Sequence, residues 1–77
     1  MNIKISYSAV LHIEGLTNGS ILETRDGTSI SGLLALFNVK EEHQRTITAL
    51  VNGRQRGLSH ILEDNDDLNL LLPIGGG

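Results

Sequence analysis

Ser29-Ile30-Ser31-Gly32-Leu33-Leu34-Ala35-Leu36-Phe37-Asn38 carries the clearest helical period of the chain. Ile30, Leu33, Leu34 and Phe37 stand at i, i+3, i+4 and i+7, which places all four on one face of a helix. Ser29 is the N-cap, its hydroxyl able to accept from a free amide of the first turn. Gly32 costs such a short helix about 1 kcal/mol relative to Ala, so tertiary packing has to hold it. Asn38 marks the stop. One helix with one apolar face needs a partner layer, and the flanking sequence supplies strands.

Upstream, Ile3, Ile5, Tyr7, Ala9, Leu11 and Ile13 share one parity, opposite mostly polar residues, with Val10 the exception. That alternation predicts one long first strand with a buried face. Thr17-Asn18-Gly19 is a turn, and residues 20–24 resume a strand, giving an antiparallel hairpin with a long loop. Downstream, residues 40–45 are polar and read as a loop. Residues 46–51 read as a third strand, ended by the strong turn signal Asn52-Gly53. Residues 58–62 suit a helical turn and residues 63–67 a solvated acidic turn. A last strand spans residues 68–72, and Pro73 stops its ladder. The fold class is α+β, one mixed sheet of four to five strands with the helix across one face.

At 77 residues the chain makes one small domain, able to bury roughly 60% of its unfolded surface. One Phe, one Tyr and no Trp argue against a nucleobase stack or an aromatic ligand cage. A net charge of −3 argues against a nucleic-acid partner, which needs a basic stripe. With no Cys there is no disulfide, zinc thiolate or catalytic thiol. No signal-type core and no membrane-length apolar run is seen, so a cytoplasmic protein is expected. His12, His43 and His60 have no ligand spacing, and no metal site is expected. The run Asp64-Asn65-Asp66-Asp67 lacks the central Gly and distant Glu of a calcium loop.

After the last strand come Pro73-Ile74-Gly75-Gly76-Gly77. Glycine has no Cβ and can pass a channel too narrow for any side chain. Such a tail suits delivery of a carboxyl group into another protein's active site; a frayed terminus is the plain alternative. At a usage of about 7%, two glycines at a given place arise in about 0.5% of chains, so the meaning depends on what precedes them.

What precedes them resembles a known pattern. Residues 62–77, LEDNDDLNLLLPIGGG, are similar to the C-terminal signature of ubiquitin-like sulfur carriers. That signature is an acidic tight turn, an apolar strand, Pro, an aliphatic residue, one variable residue and Gly-Gly. The family includes the molybdopterin synthase small subunit and the thiamine-pathway sulfur carrier. Gly75 takes the variable place and Gly76-Gly77 the diglycine. Val51-Asn52-Gly53 and the helix start at Ser29-Ile30 match as well. Ser8 stands where the molybdopterin branch carries an aromatic residue, and His12 where it carries Arg.

The resemblance implies a ubiquitin-like β-grasp domain over residues 1–74, with a flexible glycine tail at 75–77. It implies a protein cosubstrate and not an enzyme, at most the non-catalytic small subunit of a sulfur-transferring synthase. The Gly77 carboxylate would be adenylated by a ubiquitin-activating-type adenylyltransferase using MgATP, then converted to a thiocarboxylate by a sulfurtransferase or other persulfide donor. An acceptor synthase subunit would receive the sulfur for molybdopterin, thiamine thiazole or a related product. No cofactor is bound by the chain itself. Adenylation turns a poor electrophile into one with a good leaving group. Three glycines reach about 10 Å at roughly 3.3 Å each. Two other functions remain open: a modifier joined to lysines through Gly77, and a non-covalent interaction module.

Strand parity suggests the docking surface. Leu68, Leu70 and Leu72 face the core, while Asn69 and Leu71 face solvent. Leu71 with Pro73 and Ile74 then forms an apolar patch beside the tail. Arg54 and Arg56 either rim that patch or are solvated loop residues.

Overall fold

The computed structural model describes residues 1–8, 11 and 13–72. The element order is β1 (Asn2–Tyr7), β2 (Ser20–Glu23), α1 (Ile30–Leu36), α2 (Glu41–Gln44), β3 (Thr48–Val51), β4 (Arg54–Arg56) and β5 (Asp67–Leu71). The strands form one mixed sheet in the order β2-β1-β5-β3-β4. β1 and β5 are parallel and sit centrally, and every other pairing is antiparallel.

The helix forms where its period places it. Ser29 Oγ accepts from the Gly32 amide at 3.0 Å. Ile30, Leu33 and Leu34 are fully buried against Ile3, Ile5, Leu68 and Leu70, while Phe37 packs at the margin of this core. Asn38 adopts φ 61°, the left-handed conformation that ends a helix. The amides of Ile30 and Ser31, which have no partner within the helix, donate to the carbonyls of His60 and Leu58 at 3.0 and 2.8 Å.

Several expectations are corrected. The first strand ends at Tyr7, although the alternation runs on to Ile13. The Tyr7 amide donates to Asn18 Oδ1 at 2.9 Å and Asn18 Nδ2 donates to the Tyr7 carbonyl at 2.8 Å, so a side chain takes the place of the next strand pair. Ile13 and Leu16 are buried from the connecting loop instead. Residues 41–44 of the expected loop form α2. Gln44, 3% exposed, holds it: its Nε2 donates to the Val39 carbonyl at 2.9 Å and its Oε1 accepts from Ser31 Oγ at 2.6 Å. Residues 57–60 are one turn, closed by the His60 amide on the Gly57 carbonyl at 3.0 Å, followed by an antiparallel bridge between Ile61 and Ser29. Arg54–Arg56 is a strand rather than a loop.

The acidic turn is not wholly solvated. Asp66 is 6% exposed; its Oδ1 accepts from Asn52 Nδ2 at 2.9 Å and its Oδ2 from the Glu63 amide at 2.8 Å. Asn52 Oδ1 in turn accepts from the Asp67 amide at 3.0 Å, and Asp64 Oδ1 accepts from the Asn2 amide at 2.6 Å. This network joins the acidic turn to the β3–β4 turn and to the start of β1. Asn52 at φ 53° and Gly53 at φ 84° make the two-residue hairpin turn in which both positions need positive φ.

Candidate functional site

The candidate site lies where β5 leaves the sheet. β5 is bonded on both sides, to β1 over Asp67 to Leu70 and to β3 over Leu68 to Leu71. Leu68 and Leu70 are fully buried, as their parity requires. Directly paired residues point to one face of a sheet, so register assigns the rest. Leu71 is opposite Thr48, and Asn69 is opposite both Leu50 and Ser6. The face away from α1 therefore presents Leu71, Leu50 and Thr48 beside Asn69 and Ser6. Leu71 and Leu50 are half-buried, so the expected exposure of Leu71 is only partial. Leu72, expected in the core, is half-buried as well.

Ser8 secures the strand at this exit. Its amide donates to the Leu70 carbonyl at 3.0 Å, and its Oγ accepts from the Leu72 amide at 3.4 Å. The pair extends the parallel ladder by one step beyond the end of β1. An aromatic side chain here would lack this acceptor.

The structure separates residues that the sequence grouped. Arg54 pairs with Val51 and Arg56 with Ala49, both core-facing residues, so the arginines project on the α1 side of the sheet. Leu71 projects on the other side, two strands away. The arginines do not rim the Leu71 patch; Gln55, paired with Leu50, shares its face. Leu50 and Thr48 are the patch residues that were not singled out. The signal was present: in residues 46–51 the core parity is Ile47, Ala49 and Val51, which leaves Leu50 as an apolar residue on the polar side. Pro73, Ile74, Gly75, Gly76 and Gly77 lie outside the described residues, as does His12.

At the same end of the sheet a cavity of about 400 Å³ opens between Leu11, Ile13 and Glu14, the C-terminus of α1 and α2. Leu11, Ile13, Phe37, Val39 and Ile47 make its apolar lining, and Glu14, His43 and Thr46 its polar rim. Among the described residues no helix is long and apolar enough to cross a membrane.

No family model matches the sequence, and no curated protein matches it. Solved structures do. SAMP1 from Haloferax volcanii superposes with a TM-score of 0.71 at 16% identity, covering 100% of both chains. A second structure of that organism's small archaeal modifier protein 1 gives 0.72 at 15% identity, over 95% of this chain and 98% of its own. A complex of subunits 1 and 2 of molybdopterin-converting factor from Helicobacter pylori gives 0.64 at 21% identity, with 100% of both chains covered. At these identities the likeness is one of fold. Parallel central strands, antiparallel flanks and a helix laid across one face make this chain a ubiquitin-like β-grasp protein.

Proposed function

We propose that the chain is a sulfur carrier whose Gly77, presented with a free carboxyl group, is the reacting residue. The observation that carries this reading is the launch of Pro73-Ile74-Gly75-Gly76-Gly77 from β5, the strand held on both sides at the centre of the sheet. A tail rooted there is braced by the whole domain, while its glycines reach into a narrow site.

The chemistry is adenylation followed by sulfur transfer. The Gly77 carboxylate attacks the α-phosphorus of MgATP on a partner enzyme, and pyrophosphate leaves. The terminal sulfur of a persulfide then attacks the acyl carbon, and AMP leaves. A thiol attacks the donor-side sulfur of the resulting acyl disulfide, forming a disulfide and releasing the thiocarboxylate. The chain supplies the carboxyl group, reach and a docking face, and the likeness to a molybdopterin-converting factor subunit supports an acceptor synthase as partner.

The second reading, a modifier joined to lysine through Gly77, is favoured by the likeness to the small archaeal modifier protein. Both readings share the activation step. Intact mass of protein from native cells should show a fraction heavier by the sulfur–oxygen difference on the C-terminal peptide. Incubation with the cognate adenylyltransferase and ATP should release pyrophosphate, and deletion of Gly77 should abolish it. Lysine peptides branched by the chain's C-terminus, with no thiocarboxylate, would assign the modifier role. Full cellular function without Gly76 and Gly77 would exclude both.

A further inference from the structure

The β4 edge has chemistry that neither reading uses. β4 is a terminal strand of the sheet, and Arg54, Gln55 and Arg56 are all exposed. After a two-residue turn the flanking pair, Val51 and Arg54, is the hydrogen-bonded one, and bonded and non-bonded pairs then alternate. Leu50–Gln55 is therefore a non-bonded pair within the hairpin, which turns the Gln55 amide and carbonyl outward from the sheet. Neither group has a partner among the described residues.

Arg54 and Arg56 flank that open pair on the α1 side. Of the six Lys and Arg residues in a chain of net charge −3, two are concentrated on this short strand. Neither forms an ion pair among the described residues, where the one side-chain ion pair is Arg45–Glu41. Their side of the strand borders a cleft of about 370 Å³, lined also by His60, Glu63 and the buried Asp66. Charge on an edge strand can serve simply to prevent edge-to-edge pairing, a task for which lysine is the common choice. The planar arginine fork matches a carboxylate with two parallel bonds.

We propose that β4 is a docking edge for an extended acidic segment of a partner protein. The incoming strand bonds to the Gln55 amide and carbonyl. Carboxylates at its alternate positions meet Arg54 and Arg56, since cross-strand neighbours on one face lie about 5 Å apart. The backbone supplies the register and the arginines select the charge.

The test uses the full chain labelled with nitrogen-15 and a capped synthetic hexapeptide bearing Glu at alternate positions, with a twin bearing Lys there. The acidic peptide should shift the Gln55 amide and its β4 neighbours, and the twin should not. R54E/R56E should weaken the acidic peptide about tenfold and restore binding of the Lys twin. Q55P removes the outward amide while keeping both charges and the β3 pairing, so it should abolish binding. Unchanged binding by Q55P would reduce the interaction to loose electrostatics and overturn the proposal. So would equal binding of both peptides, or no shift at Gln55 at millimolar peptide, which would leave the arginines as edge protection alone. Because these readouts need neither Gly77 nor ATP, their failure is separate from failure of the carrier reading.

Discussion

The two ends of the sheet are built by different means. At one end the acidic turn, the β3–β4 turn and the start of β1 are joined by short loops and paired side chains, with Asp66 and Asn52 each bonding to two partners. At the other, where β5 gives out, β1 and β2 are joined by the long connection over residues 8–19. Buried Ile13 and Leu16 anchor it, and Asn18 and Tyr7 bridge it. The first end is tied together by side-chain bonds between turns and strand ends far apart in sequence, Asn52 to Asp66 and Asn2 to Asp64. The second is bridged within a single connection, by Tyr7 to Leu16 and Asn18, beside an open cavity. The end that carries the tail is thus the one whose bridging bonds lie within one connection, and the opposite end the one whose bonds cross between elements.

Substitutions can break this contrast. Asp66→Ala leaves Asn52 Nδ2 and the Glu63 amide without their buried acceptor and should cost roughly 2–3 kcal/mol, read from the urea midpoint. Gly53→Ala forces a side chain into φ 84° and should cost about 1–2 kcal/mol in the same measurement. Asn18→Ala removes two exposed bonds at the tail end and should cost about 1 kcal/mol, with faster amide exchange at Tyr7 and unchanged protection at Asn52. Tyr7→Phe loses only the hydroxyl bond to the Leu16 carbonyl and should cost about 0.5–1 kcal/mol. An Asn18→Ala penalty as large as that of Asp66→Ala would remove the distinction.

Much of the fold was legible because it rests on local rules. The helix face, the Ser29 cap, the Asn52-Gly53 turn and the last strand each follow from neighbours in sequence. The overextended first strand and the missed α2 have one cause. Both depend on polar side chains, Asn18 and Gln44, that bond to backbone groups outside their own turn, at Tyr7 and Val39, which apolar periodicity does not register. Gly32, a cost to the helix on propensity alone, sits where a Cβ would lie 3.3 Å from the capping Ser29 Oγ. The side of the sheet that Arg54 and Arg56 take is itself legible in the sequence. A two-residue turn makes Val51 and Arg54 directly opposed, so a core-facing Val51 sends Arg54 to the α1 side. Parity puts Leu71 on the face away from α1, opposite Thr48, whereas its partial burial is not something parity supplies.

The parallel pairing of β1 with β5 has a consequence for biosynthesis. The first strand to leave the ribosome finds its central neighbour only when residues 67–71 have been made. Until then β1–β2 and β3–β4 are separate hairpins, and isolated hairpins are marginal in water. The late, sequence-distant closure sets the pace of folding. A chain interrupted before β5 lacks the strand that joins the two hairpins, so molecules with the complete sheet are those already carrying the strand from which the glycine segment extends.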